Sequence, residues 1–381
     1  MLDRLYKFFT SLKLTVVLLG LGLVLVFWGT LAQVHLGLYK AQNDFFRSFF
    51  VYWQPEGSGA RIPVFPGGYL VGAVLLVNLF AAHLRYYKPG LKKLGIAMIH
   101  IGVVLLLVGQ LLTDLLSTEC SMFIRNGERK NFAESNSRVE LAIVDVSGTD
   151  ADKVVAVSDS RLRMAGDITH PELPFTVKVL KYMGNSAISE TQTNGYTPIP
   201  ATVGIGANAF WQEFAHVTAM DERDMPSALV ELSAGTASLG KYLVSLYLLR
   251  PQTFEHAGRS YTMALRPERF YKPFSLHLLE FRHDKYAGTD IPKNFSSRVR
   301  ILRPETGEDR EVVIYMNNPL RYEGETYYQA GFDRDDQGTR LQVVRNPGWL
   351  TPYFACVMVA LGMMWQFCFH LFGFGRNGKS A

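Results

Sequence analysis

Four apolar runs punctuate a chain that is otherwise of mixed polarity. Leu14 to about Val34, Ile62 to Leu84, Leu94 to Thr113 and Asn346 to Phe374 carry no fully charged side chain. A helix needs roughly 20 apolar residues to cross bilayer hydrocarbon. The runs therefore predict transmembrane helices at about 12–34, 66–87, 94–114 and 349–373. Between the third and fourth runs the period falls to two. Arg138 to Asp145 and Phe175 to Leu180 alternate polar and apolar residues as half-buried strands do. Turn signals at Asn126-Gly127, Ser147-Gly148, Ala257-Gly258, Thr306-Gly307 and Glu323-Gly324 separate such stretches. Hairpins are expected over Phe254 to Leu265 and Arg298 to Met316, and Gly184 to Ala209 reads as a long loop. Many short strands at this spacing suggest a sandwich or an open barrel.

The fold class is therefore a membrane protein with four transmembrane helices and a large extracytoplasmic all-β, sandwich-like domain. The expected division is 1–114 as a membrane unit with three spans and 115–346 as a β-rich domain. Residues 347–381 complete it with the fourth span and a tail. The first run follows Arg4, Lys7 and Lys13, as a signal peptide does. It is longer than a signal peptide's core and no small-residue cleavage site follows, so it reads as an uncleaved helix. Gly20, Gly22 and Gly29 give it a small-residue face suited to close packing. The loop after it is strongly aromatic, with Phe45, Phe46, Phe49, Phe50, Tyr52 and Trp53. Such side chains suit a membrane interface, and they also suit the flat face of a porphyrin.

Charge sets the orientation. Arg85, Lys88, Lys92 and Lys93 lie between the second and third runs, around a Pro89-Gly90 turn, and Arg376 and Lys379 follow the fourth. Basic residues stay on the cytoplasmic side, so both termini read as cytoplasmic and the β-domain as periplasmic, in a bacterial inner membrane. The 381 residues are 48% hydrophobic and 19% charged, with net charge +5. There is no Lys/Arg tract and no nucleic-acid motif, and topology accounts for the membrane unit's bases. Cys120, Cys356 and Cys368 form no C-x-x-C, which sets aside a thioredoxin-like reductase and a c-type cytochrome. Gly204-Ile205-Gly206 lacks the strand–turn–helix frame of a dinucleotide site.

The candidate chemistry is histidine. His83 and His100 lie on the hairpin of the second and third runs, each near its basic turn. At 1.5 Å per residue both sit roughly 8–10 Å inside their helix ends. Antiparallel neighbours bring the two imidazoles to similar depth. An ionisable group at that depth is a functional-site hypothesis, and imidazole is a common haem-iron ligand. Interfacial histidines are the plainer alternative. His370 lies toward the same end of the fourth run. In the β-domain, alternation places His277, Leu279, Phe281 and His283 on one face. No cysteine or carboxylate ligand stands at metal spacing beside them, so they read as solvated strand histidines. No catalytic constellation is found.

Several ordered motifs resemble the ResB family. They are Asp290-Ile291-Pro292-Lys293-Asn294-Phe295, Met316-Asn317-Asn318-Pro319-Leu320 and Gly324 followed by Tyr327-Tyr328-Gln329-Ala330-Gly331-Phe332. Asn346-Pro347-Gly348 then enters the last helix. Ser11-Leu12-Lys13-Leu14, Gly29-Thr30 with Gln33, Asn78-Leu79 to His83 and His100-Ile101-Gly102 fit as well. Leu31-Ala32-Gln33 replaces a proline-bearing turn. The resemblance extends over nearly the whole chain and implies system II cytochrome c biogenesis, with haem b carried across the membrane. It implies a tryptophan-rich CcsA/ResC-type partner, apocytochrome c bearing C-x-x-C-H, and thiol-reductase proteins. That tryptophan motif is absent here, where Trp28, Trp53, Trp211, Trp349 and Trp365 are scattered. It further implies one membrane histidine as an axial haem ligand, the second ligand coming from the partner. His83 matches best and His100 is the rival. Two other functions compete: a b-type electron-transfer anchor using both histidines, and a periplasmic scaffold without haem.

Overall fold

A computed structural model describes residues 2–55, 60–86, 90–148, 152–217, 223–289, 292–333 and 335–377. Tyr87, Lys88 and Pro89 of the basic turn, Asp290 and Ile291, and Lys379 lie outside the described residues. The chain forms two compact units. Among the described residues, one unit lies within 2–117 and 346–377, the other within 118–217 and 223–345.

Among the described residues, the first unit has four helices long and apolar enough to span a membrane: Leu12–Leu36, Gly68–Tyr86, Leu91–Leu116 and Thr351–Leu371. These are the first to fourth spans. The second begins later than hydropathy suggests. Ile62–Pro66 instead pairs antiparallel with Phe50–Trp53, and the two prolines in that short run oppose a helix. The aromatic loop divides in two. Phe45 is buried with Leu25 and Val51, edge-on to Trp28 at 5.4 Å, whereas Phe49, Tyr52 and Trp53 are exposed.

Glycine packing differs from the expectation for the first span. A side chain at Gly20 would meet nothing within 4 Å, and Gly29 abuts only the aromatic loop, 2.7 Å from the Phe46 ring. The close seam lies between the third and fourth spans. A Cβ on Gly95 would fall 2.6 Å from the Gly362 carbonyl, and one on Gly362 2.7 Å from that of Gly95. Gly102 meets Val359 at 2.6 Å and Gly109 meets Thr351 at 2.7 Å. These glycines recur every seven residues, the period that keeps one helix face on a partner. Small residues let backbones approach where lipid supplies no hydrophobic drive.

The second unit is antiparallel β structure in two lobes. In the first, Ala237–Ser245, Ser227–Ala234, Thr176–Met183 and Gly166–Ile168 form a four-stranded sheet in that order. It packs on Gln252–His256, the first half of Arg259–Lys285, the second half of Arg129–Asp145, and Lys153–Ser158. Val139, Leu141, Ile143, Val177, Val179, Val230 and Leu232 fill the core between them. This lobe is the expected sandwich.

The other lobe is a near-closed barrel. Its order is Glu308–Tyr315, Pro292–Arg303, Arg259–Lys285, Arg129–Asp145, Thr118–Arg125, Gly338–Arg345, Glu325–Phe332 and Leu320–Tyr322. A bridge from Tyr315 to Asn318 draws the first strand toward the last. Met122, Phe274, Leu276, Val299, Ile301, Ile314, Tyr327 and Leu341 fill it. Two long strands serve both lobes. Arg259–Lys285 runs 27 residues, and its pairing with Arg129–Asp145 slips beside Pro267 and again between Tyr271 and Leu276, around Pro273. Proline donates no ladder bond and is confined to such irregularities, so one strand bends from sandwich to barrel there.

The stretch read as a loop, Gly184 to Ala209, is partly ordered. Ser186–Ser189 and Thr197–Pro198 flank Phe210–Glu213 in a small sheet, and Trp211 is buried there with Met183 and Leu229. Two-residue strands are too short to leave a period in the sequence.

Candidate functional site

The second span carries His83 and the third carries His100. Their ring centroids lie 5.7 Å apart with planes at 80°, an edge-on contact. Both are half-buried. The geometry of the neighbouring helices explains the meeting. His100 precedes Gly102 by two residues, roughly 200° around a helix of 3.6 residues per turn. The glycine seam faces the fourth span, so the imidazole points away from it, toward the second. At the other end of the hairpin, the Tyr69 hydroxyl donates to Asp114, and Arg47 pairs with the same carboxylate at 2.9 Å. The hairpin is thus held at both ends.

Residues flanking His83 are tied to the amino end of the chain. Asn78 is fully buried. Its amide donates to the carbonyls of Phe9 at 2.7 Å and Ser11 at 3.2 Å, and its oxygen accepts from Thr15 at 2.6 Å. Arg85 donates to Thr10 and lies over the rings of Tyr6 and Tyr86. These bonds dock the short helix Leu2–Phe9 and the break after it against the second span. The signal for Asn78 was a lone amide inside an apolar run; its partners are remote in sequence, so its role was not legible there.

The site has unused bonding capacity. His100 Nδ1 and Gln366 Oε1 are buried and have no hydrogen-bond partner among the described residues. Such atoms are costly in a medium without water, by about 1–3 kcal/mol each. An imidazole nitrogen without a partner is a donor of the type that haem iron accepts. His370 is not part of this pair: it is exposed and its Nε2 lies 2.7 Å from the Gln366 amide nitrogen.

The histidines of the strand Arg259–Lys285 depart from the expectation. The ladder with Pro292–Arg303 skips Leu279, so this bulge reverses the alternation. Leu276 and Leu278 face the barrel core before it, Phe281 after it. His277 and His283 therefore do not share a face. His283 is not solvated: its side chain is 5% exposed, its Nδ1 lies 2.8 Å from Asp336, and Phe295 and Phe332 enclose its ring. Among the described residues no group of three or more His, Cys, Asp or Glu side chains is placed to hold a metal ion.

Comparison with known proteins adds the family. Residues 237–339 match the model of the ResB-like family. This segment is similar to the ResB-like family. The matched segment runs from Ala237–Ser245 of the sandwich sheet to the start of Gly338–Arg345 and takes in the barrel strands between them. The chain is also similar to Protein NrfI of Wolinella succinogenes, with 33% identity over 104 residues. That alignment takes in 27% of this chain and 12% of NrfI. The matched segment includes Met316-Asn317-Asn318-Pro319-Leu320 and Tyr327-Tyr328-Gln329-Ala330-Gly331-Phe332. His83 and His100 lie outside it.

Proposed function

We propose that this chain is a membrane subunit of system II cytochrome c biogenesis, receiving haem b at the inner leaflet for delivery to apocytochrome c. The observation that carries the reading is the His83–His100 contact between two candidate spans of a ResB-like protein. His83 would hold the haem iron, and a tryptophan-rich CcsA/ResC-type partner would supply a second ligand. Asn78 and Arg85 hold the His83 helix in place, and the third span's glycine seam orients His100. Haem supplies the vinyl groups that the C-x-x-C-H thiols attack. This chain contributes binding and orientation, and thioether formation belongs to the complex. The basic residues near the ends of the spans orient both termini to the cytoplasm and the β unit to the periplasm.

The test is haem copurifying with the two-protein complex. His83→Ala lowers it and lowers cytochrome c maturation, and added imidazole partly restores both by filling the empty axial position. His100→Ala retains haem. The reverse pattern moves the ligand to the third span. Normal haem in both variants refutes the site.

The closeness of the two imidazoles favours a second reading, a b-type anchor in which both bind one iron. In that case the chain purified alone holds low-spin haem that quinol reduces. Under the first reading it needs its partner.

A further inference from the structure

The sandwich lobe has a cavity of about 510 Å³, within the range of roughly 300–1,000 Å³ typical of ligand pockets. Ile143, Val155, Leu173 and Pro174 give it apolar walls. Tyr261 also lines it; this residue is 1% exposed, and its hydroxyl is buried without a hydrogen-bond partner among the described residues. A buried phenol ordinarily finds one. The rim has no excess charge. Asp145 pairs with Arg259 at 3.2 Å, and Lys153 and Glu172 add one charge of each sign without forming an ion pair among the described residues. Such a rim suits neither a polyanion nor a polycation.

A second observation concerns the strand beside this cavity. Lys153–Ser158 pairs with Arg129–Asp145 along one edge, and among the described residues no strand pairs with the other. In its sequence, Lys153-Val154-Val155-Ala156-Val157-Ser158, the four residues from Val154 to Val157 are apolar and three of them are β-branched. Sheet edges are usually guarded by charges, prolines or bulges, and Val154 to Val157 has none of these. Val155 and Val157 point into the core while Val154 is 39% exposed. The open edge and the cavity adjoin at Lys153 and Val155.

We infer that the outer edge of Lys153–Ser158 and the adjoining cavity bind an extended segment of an unfolded polypeptide by strand addition. Main-chain hydrogen bonds to the free edge supply affinity, and alternate side chains enter the pocket. The side chain placed beside Val155 points inward, toward Leu173 and Pro174. One with a polar tip on an apolar body satisfies the Tyr261 hydroxyl. The inference deepens the proposed function by giving the haem-free cytochrome a place on this chain, and it rests on that reading for the identity of the polypeptide only.

The test uses the full-length protein in detergent, with two probes: reduced, haem-free cytochrome c, and a reduced, carboxymethylated polypeptide lacking C-x-x-C-H. Hydrogen–deuterium exchange is followed at 153–158 and 171–174. Haem-free cytochrome c slows exchange in both segments by about tenfold or more. Tyr261→Phe leaves exchange in the free protein unchanged and weakens binding about 2- to 10-fold, the worth of one neutral hydrogen bond of about 0.5–1.5 kcal/mol. Leu173→Trp, which fills the cavity, abolishes the protection at 171–174. Protection by the carboxymethylated probe alone keeps the site and refutes the cytochrome as its occupant. Protection by neither probe overturns the site, whatever haem copurification shows. Protection that rises with protein concentration and needs no probe also overturns it, because the edge then pairs with a second copy of this chain.

Discussion

Tyr327 shows how one side chain ties the barrel to pH. It is fully buried, and its hydroxyl donates to Glu325 at 2.8 Å, whose carboxylate also pairs with Lys272. Burial, first, and the adjacent carboxylate push its phenol well above the ordinary range. An unfolded phenol titrates near about 10. The folded barrel thus keeps a proton that the unfolded chain gives up. This stability is fully present below about pH 10 and is lost as pH rises toward the higher folded value. Thermal unfolding followed from pH 8 to 11 should show a steep alkaline fall, and Tyr327→Phe should flatten it. Asn78 is the corresponding residue in the membrane unit. Asn78→Leu removes the bond from the Thr15 hydroxyl, which keeps only its 3.5 Å contact to the Ser11 carbonyl, and the amide bonds to the Phe9 and Ser11 carbonyls. Membrane hydrogen bonds average about 0.6 kcal/mol, so a loss of about 1–2 kcal/mol is expected, read as a lower melting temperature in detergent. If His83 is the ligand, the same variant should also broaden the absorption band of copurified haem.

Among the elements, the third and fourth spans are the sensitive pair. Gly102→Leu drives a side chain into Val359 and the Ala355 carbonyl, whereas Gly20→Leu in the first span meets open space. Overpacking costs about 1–3 kcal/mol. Monodisperse yield in detergent should fall for Gly102→Leu and hold for Gly20→Leu. Equal yields would show that the seam is not what holds these helices together. The long strand Arg259–Lys285 teaches a different lesson. Its prolines and its bulge at Leu279 break the alternation that the sequence offers locally. A single skipped residue moved His283 from an expected solvated face into an aromatic enclosure beside Asp336.

For the whole molecule, the prediction concerns sidedness. The proposal that both termini face the cytoplasm and the β unit the periplasm is supported by four candidate spans and the distribution of basic residues. Leu249 is 98% exposed and suits a single-cysteine label. With Cys120, Cys356 and Cys368 replaced by serine, Leu249→Cys should react with an impermeant maleimide from the periplasmic side. Protection in intact spheroplasts, relieved only by lysis, would invert the topology and end the haem-delivery reading.

The linear order of residues determined the spans, the β texture and the two histidines near a basic turn. Each of these is a local property: twenty apolar residues in a row, an alternation of period two, charges beside an apolar run. The family motifs were legible for the same reason, and those between Asp290 and Phe332 fall within the matched residues 237–339. Tertiary structure alone decided which surfaces meet. It put the glycine seam on the third span instead of the first, because closeness depends on what stands opposite a glycine. It split the β region into a sandwich and a near-closed barrel, because two long strands bend where prolines interrupt their ladder. It set His83 against His100 and left His370 with Gln366, because a helix face is fixed by every neighbour it packs on and not by depth alone.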